Sequence, residues 1–335
     1  NSAMPSGLRM AWLSCLCLLV CGASAHTRVP EPEGPQHIVI AFYNTENLFD
    51  TVPGSPDDPY APDGSRRWDS QRYRQKITNI ARALDSLKAD IVGLAEIENE
   101  TVLQDLLSAL HTSYNYVFRP GNDPRGMNVA LLYRGSLFYP LRTFQLKGPG
   151  LSRPALAVRG RLPDDTLTLM VAHMPSLLNR SAWRKAAART LRNRLDEIMA
   201  NDPSGKIILM GDLNMGPGSG LARKTLGIAP WPDSMHEDKH PDNTHAPLFT
   251  PFLSLERRGE GSYVYRDRRY LYDYILLNGV WTHNRGWTFR GRCGIFSPGF
   301  LWHETGPNRG YPKRTFDRGR YTGGFSDHLP VWLIL

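Results

Sequence analysis

The 335 residues carry 40 lysines and arginines against 32 aspartates and glutamates, a formal charge of +8, with 41% hydrophobic residues and a mean hydropathy of -0.39. These values describe a soluble globular protein with ample core, and its basic surface suits phosphate-bearing partners. Four cysteines, three of them among the first 21 residues, exclude a disulfide-stapled scaffold.

In chain order, residues 1–25 read as a leader. Asn1–Ala3 precede the first methionine. From Met4, Arg9 supplies a positive start, Ala11–Val20 an apolar run, and Ala23-Ser24-Ala25 a small-x-small cleavage pattern before His26. The run is too short for a permanent membrane anchor. Export to the periplasm or medium is therefore expected, with lipid attachment at Cys21 as the alternative. Cleavage removes one cation, Arg9, and no acid, leaving 39 (40 less 1) against 32, or +7, and Cys293 as the remaining thiol. Residues 26–36 are expected to be a flexible lead-in. Residues 37–335 are expected to form one domain, because no repeat, low-complexity tract or linker divides them.

Ile38–Tyr43 is a strand of β-branched and aromatic residues ending at Asn44-Thr45-Glu46-Asn47. The acidic loop with Asp57, Asp58 and Asp63 reads as a solvated loop rather than a cation site. Tyr73, Ile77, Ile80, Leu84 and Leu87 recur at helical spacing, which predicts a helix over Asp69–Lys88 with Asp69 near its N-cap. Asp90–Ala95 is a strand stopping at Glu96-Ile97-Glu98. A helix over Thr101–Leu110 leads to strands near Tyr114–Phe118, Asn128–Tyr133, Leu156–Leu162 and Thr166–Ala172, the last ending at His173. Arg180–Met199 is a basic helix feeding the strand Lys206–Gly211.

That strand belongs to Ile207–Asn214, Ile-Ile-Leu-Met-Gly-Asp-Leu-Asn, followed by Met215-Gly216-Pro217-Gly218. Period-two alternation puts Asp212 and Asn214 on one side of an extended backbone, and Gly-Pro-Gly places both at a strand end. The competing reading is a turn in which they bond their own backbone. Residues 215–250 are expected as a long surface loop. His236, Glu237, Asp238, His240 and His245 fall there at a spacing that matches no zinc pattern. Ser262–Tyr265 and Tyr270–Leu277 are strands, the second with Asp273 among apolar neighbours. Phe325-Ser326-Asp327-His328 introduces the last strand, Leu329–Leu335.

The polar interruptions form a pattern. Asn44, Glu96, His173 and Asp212 with Asn214 end apolar strands, Asp273 lies within one, and Asp327-His328 precedes one. Singly, each reads as a cap, a turn residue or a satisfied core group. Jointly they supply what metal-assisted attack on a phosphoryl group requires: oxygen ligands for a hard cation, a base to position water, and hydrogen-bonding groups for phosphate oxygens.

Six ordered motifs make the chain resemble the endonuclease/exonuclease/phosphatase superfamily, which includes deoxyribonuclease I. They are Phe42-Tyr43-Asn44-Thr45-Glu46-Asn47-Leu48, Leu94-Ala95-Glu96, Val171-Ala172-His173, Gly211-Asp212-Leu213-Asn214, Leu271-Tyr272-Asp273-Tyr274-Ile275 and Ser326-Asp327-His328. The resemblance implies an α/β fold, a four-layer sandwich of two packed mixed β-sheets flanked by helices. It implies magnesium, with manganese as a substitute, held by Glu96 with Asn44, Glu46 and Asp327 on the metal side. Asp212 would orient or deprotonate the attacking water, Asn214 would hold it or a phosphate oxygen, and Asn44 would stand beside the phosphate as well as the metal. His328, polarised by Asp273, would bind the phosphate. His173 resembles the second histidine of the deoxyribonuclease I branch, and Asn128 stands where that histidine has a partner. Arg314, Arg320, Tyr311, Phe316 and Tyr321 form either a nucleic-acid surface, with Arg314 on substrate, or an ordered loop that uses its aromatics for packing. Inositol 5-phosphatases carry tryptophan before Gly-Asp-x-Asn, where Met210 stands here, so that branch is disfavoured. The expectation is an exported metal-dependent phosphodiesterase acting on nucleic acid, a monomer with no stable protein partner. The alternatives are a phosphatase or sphingomyelinase-like hydrolase of another phosphate ester, and a catalytically inactive binding member.

Overall fold

Runs that are apolar on every residue become strands buried on both faces, and here they pair into two mixed sheets. The structure, a computed structural model, describes residues 37–55, 58–232, 246–283 and 285–335. The leader, the 26–36 lead-in, Asp57 and the candidate loop ligands His236, Glu237, Asp238, His240 and His245 lie outside the described residues. In chain order the strands are β1 (Val39–Leu48), β2 (Ile91–Ile97), β3 (Asn115–Phe118), β4 (Asn128–Tyr133), β5 (Tyr139–Leu146), β6 (Ala155–Leu162), β7 (Asp165–His173), β8 (Lys206–Asp212), β9 (Ile228–Pro230), β10 (Leu248–Thr250), β11 (Tyr263–Tyr265), β12 (Arg268–Tyr270), β13 (Asp273–Asn278), β14 (Cys293–Ile295), β15 (Phe316–Asp317), β16 (Arg320–Tyr321) and β17 (Val331–Ile334). One sheet has the order β14-β17-β1-β2-β4-β3 and the other β5-β6-β7-β8-β13-β10-β9, while β11-β12 and β15-β16 are separate hairpins.

Ile40, Phe42, Ile91 and Leu131 of the first sheet share one core with Val158, Leu169, Leu209 and Leu276 of the second. At Gly93 of β2 an added Cβ would come within 2.7 Å of the Met210 sulfur on β8, so glycine lets the sheets close there. The far side of the first sheet (Tyr43, Val92, Leu94) packs on helices α1 (Ser70–Leu87) and α2 (Glu100–Ala109) through Ile80, Leu84, Leu103 and Leu106. Asp69 caps α1 by accepting from the Gln71 and Arg72 amides, and Lys88 closes it in the left-handed conformation. On the second sheet, α3 (Ser181–Asn201) buries Ala187, Ala188, Leu191 and Leu195 in the shared core. The layers therefore run helix, sheet, sheet, helix, as expected.

Some elements differ from the sequence reading. The 215–250 segment is not one long loop. It holds a π-helical turn at Ala222–Leu226 and the strands β9 and β10, which complete one edge of the second sheet. Edge strand β5 and the short helix α4 (Phe252–Arg257) are further elements. The expected Tyr270–Leu277 strand is broken after Tyr270. Asp273 is the first residue of β13, where it pairs in register with Asp212, the last residue of antiparallel β8.

Candidate active site

The fold brings the polar interruptions to one end of the sandwich. Parallel β7 and β8 end together, with His173 opposite Asp212, and antiparallel β13 begins at Asp273 beside them. From the first sheet, parallel β1 and β2 contribute Asn44 and Glu96, each next to an irregularity of register. Glu46, Asn47, Glu96 and Asn214 all have positive φ (53°, 49°, 64° and 49°). Left-handed backbone is unfavourable for Glu46 and Glu96, though asparagine tolerates it, and a cluster of it is characteristic of a site held in shape by its surroundings.

Asn44 joins the two sheets. Its Nδ2 donates to Asp212 Oδ2 at 3.0 Å and to Glu96 Oε1 at 3.3 Å, while its Oδ1 accepts from the Glu46 amide at 3.0 Å. Glu96 Oε2 accepts from the Asn47 amide at 2.7 Å. At Asn214 the turn reading holds, because β8 ends at Asp212 and Asn214 has left-handed backbone rather than extended backbone. Its amide donates to Asp212 Oδ1 at 2.9 Å, which is an Asx turn, and its side-chain Nδ2 donates to the Met174 carbonyl at 2.9 Å. Asp273 is fully buried and takes two contacts on Oδ2, His328 Nδ1 at 2.6 Å and the Ser262 hydroxyl at 2.5 Å. The Ser326 hydroxyl donates to the Asn44 carbonyl at 2.7 Å and accepts from the His328 amide at 3.1 Å, which fixes the backbone of His328 against β1.

Burial alone would lower the pKa of His328, but Asp273 and Asp212 outweigh it and raise the imidazole well above its usual range. His328 Nε2 lies 3.9 Å from Asp212 Oδ2 and 4.0 Å from Asp327 Oδ1. His173 goes the other way. Burial, then the Arg153 guanidinium, lowers it, so it is neutral, with Nε2 3.6 Å from Asp212 and 3.7 Å from Glu96. Burial and the neighbouring Asp273 push Asp212 up to about 7. Burial and Asp327 likewise push Glu46 up to about 7, against the opposing charge of Lys76. Lys76 is buried 3.9 Å from Glu46 and bonds Thr315 Oγ1 and the Phe325 carbonyl.

Ligand atoms of Asp212, Asp273 and His328 lie within 4.8 Å of one another. Asp273 Oδ2 is already committed to His328 and Ser262, so that trio reads better as a hydrogen-bonded unit than as a cation cage. The carboxylates of Glu96, Glu46 and Asp327 remain as candidate oxygen donors, while the Asn44 amide turns its nitrogen to Glu96 and Asp212 and its oxygen to the Glu46 amide. Glu46 is crowded enough by burial and Asp327 to be driven towards protonation. A hard divalent cation would relieve that excess of negative charge, so the chemistry of these carboxylates fits a divalent cation.

Two expected substrate residues fare differently. Arg314 is at the site, 3.9 Å from Asp327 Oδ2 and bonded to the Tyr263 side chain. Asn128 is not brought to His173. Its Nδ2 donates to the Glu98 and Gly126 carbonyls and its Oδ1 accepts from the Gly121 amide, so it organises its own loop, and His173 Nδ1 has no partner among the described residues. Tyr311 holds Asp267, and Phe316 and Tyr321 pack with each other and with Trp68, so the 311–321 segment uses its aromatics for packing. Sequence reasoning missed Arg153, Ser262 and Tyr263. Arg153 is 4% exposed, donates to the Met174 carbonyl at 3.2 Å, and its charge acts on His173, Glu96 and Asp212. The available signal was an arginine ahead of the β6 apolar run. Beside the site, a cleft of about 890 Å³ runs past Asn47, Glu98, Tyr60, Arg66 and Arg125.

A model described as "Endonuclease/Exonuclease/phosphatase family" matches residues 39–335. No curated protein matches the chain. Among solved structures, D. rerio TDP2 complexed with single strand DNA product is similar at 17% identity and TM-score 0.57, over 89% of this chain and 98% of that one. A mannosyl-6-phosphatase of Bacteroides thetaiotaomicron is similar at 15% identity and TM-score 0.53, over 89% and 99%. The human Nocturnin catalytic domain with bound sulfate anion is similar at 16% identity and TM-score 0.51, over 89% and 93%. At such identities the structures speak to the fold, and the family match speaks to descent. The chain belongs to the endonuclease/exonuclease/phosphatase family, a family of phosphoric-ester hydrolases.

Proposed function

We propose that the protein is an exported, divalent-metal-dependent phosphodiesterase whose substrate is nucleic acid. The observation that carries this reading is the buried Asp273–His328 pair, 2.6 Å apart, set beside Asp212, Asn44 and Glu96. A bound divalent cation would polarise the phosphoryl oxygen and offset its charge. Asp212 orients the attacking water and accepts its proton, and a pKa of about 7 suits that transfer near neutrality. Asn44 holds Asp212 from one side, and Asn214 presents its amide oxygen to the water. His328, kept cationic and oriented by Asp273, binds a non-bridging phosphate oxygen through Nε2. His173, neutral and close to Glu96 and Asp212, donates to a second oxygen. Arg314 completes the phosphate contacts.

The formal charge of the exported chain, 39 against 32 or +7, favours a polyanion, and the TDP2 relative was solved with a single strand DNA product. A sugar or lipid phosphate is the second reading, favoured by the mannosyl-6-phosphatase relative. A panel of plasmid, single-stranded DNA, RNA, sphingomyelin, inositol phosphates and mannose 6-phosphate in magnesium separates them. Cleavage of a nucleic acid is expected. Turnover confined to the sugar phosphates or to sphingomyelin would replace this reading with the second.

A further inference from the structure

The hairpin of β11 and β12 is anchored to the dyad at its base. Ser262 bonds Asp273, its carbonyl accepts from the Leu329 amide, and Tyr263 forms a bridge with His328. Aromatic rings continue outward from the imidazole. Tyr263 lies over His328 with centroids 4.8 Å apart, Tyr272 follows at 5.7 Å from Tyr263, and Tyr270 stacks on Tyr272 at 5.3 Å with 22° between planes. Beyond them, Tyr265 is 49% exposed, and Arg266, Arg268 and Arg269 are exposed. Among the described residues none of these three arginines is in an ion pair. Arg266 and Arg269 instead sit over aromatic rings, each 5.1–5.2 Å from the centroid, of Tyr265 and Trp302 respectively.

The tip of this hairpin is built at a cost. Arg266 and Asp267 form a two-residue turn with φ of 48° and 61°, a geometry that favours Asn-Gly or Asp-Gly. A long side chain on strained backbone persists only where the surroundings hold it. Tyr311 does so, accepting from the Asp267 amide at 2.8 Å and donating to its carboxylate at 2.7 Å. The result is a fixed, unpaired cationic tip on an aromatic arm that leads to the catalytic imidazole.

We propose that this hairpin, Tyr263–Tyr270, receives a single-stranded nucleic acid, with bases stacking on Tyr265 and Tyr270 and phosphates meeting Arg266, Arg268 and Arg269. The inference rests on the nucleic-acid reading of the site and adds a preference for unpaired strands. The exposed Tyr265 ring and the half-buried Tyr270 ring stack on splayed bases, which a duplex keeps paired.

The test is fluorescence anisotropy with labelled single-stranded and duplex oligonucleotides, in an Asp212→Asn background that stops turnover. In the Arg266→Ala/Arg268→Ala/Arg269→Ala variant, the salt slope on single strands should fall by about 2, at roughly 0.7 per neutralised phosphate. Tyr265→Ala/Tyr270→Ala should weaken single-strand binding by about tenfold or more and duplex binding by less. Both hairpin variants should melt within a few degrees of the parent protein, which shows an intact fold. Unchanged affinity and salt slope in the variants would overturn the hairpin's role while leaving the nucleic-acid reading in place. Equal losses on duplex and single strand would overturn the strand preference. A parent protein that binds no oligonucleotide would remove the nucleic-acid reading and this inference with it.

Discussion

Replacing Asp273 by alanine removes a fully buried carboxylate that accepts from His328 Nδ1 at 2.6 Å and Ser262 at 2.5 Å. A charge-assisted hydrogen bond contributes about 1.5–3 kcal/mol, and stranding one member of a buried pair costs about 3–5 kcal/mol. If 3–4 kcal/mol of that falls on the transition state, turnover drops by about 10²–10³-fold, since each 1.36 kcal/mol is tenfold. His328→Ala should lose a similar factor. The double variant should be little worse than the poorer single one, because groups that act as a unit are not additive. Stability gives a second reading with a definite sign. The His328 pKa is raised in the folded state, so the pairing stabilises fully below the unfolded value of about 6.5 and is lost as pH climbs through the raised value. The melting-temperature gap between wild type and Asp273→Ala should therefore be widest in mild acid and narrow at alkaline pH. Steady-state kinetics and thermal melts across pH supply both measurements. Near-normal turnover in Asp273→Ala, or losses that add in the double variant, would refute the pairing.

Ser262→Ala removes one charge-assisted hydrogen bond to Asp273, about 1.5–3 kcal/mol, and should lower turnover by roughly 10–100-fold with little change in the small-substrate KM. Lys76→Met strands Glu46 and unties α1 from Thr315 and Phe325, so melting should fall by an amount matching about 3–5 kcal/mol, and adding Glu46→Gln should recover part of it. Glu96→Gln should weaken magnesium binding at least tenfold by calorimetry while the protein melts within a few degrees of wild type. N-terminal sequencing of protein from the medium or periplasm should begin near His26, and a lipidated Cys21 at the amino end would make the protein surface-anchored instead.

Strands buried on both faces were legible because nearly every residue is apolar, as in Lys206–Asp212 and Asn128–Tyr133. Edge elements were not. Strand β5 contains Pro140 and Arg142 and alternates weakly in burial, while β9 and β10 are three residues each, below the length at which a pattern emerges. Asp212, Asp273 and His328 announced themselves as polar breaks in apolar runs; strand register pairs the two aspartates, and the bridge of His328 to Tyr263 brings the histidine to them. The sign of φ at Glu96 and Asn214 is not written in composition, so the alternation argument at Asn214 stopped one residue short of the turn. Asn128 looked like a histidine partner by position alone, yet the Gly121 amide and Gly126 carbonyl of its own loop and the Glu98 carbonyl after β2 take its side chain. Ser262 and Tyr263 were hidden because a hairpin's contacts to a distant strand leave no local trace.

Hydrolysis of a phosphodiester by protein stripped in EDTA and then titrated with magnesium separates a metal-dependent hydrolase from a metal-independent one. Turnover should vanish in the stripped protein, return in proportion to the added cation, and do so with melting curves that show the fold intact throughout, because the core of the two sheets does not depend on the ion. Full turnover in the stripped protein would contradict the account.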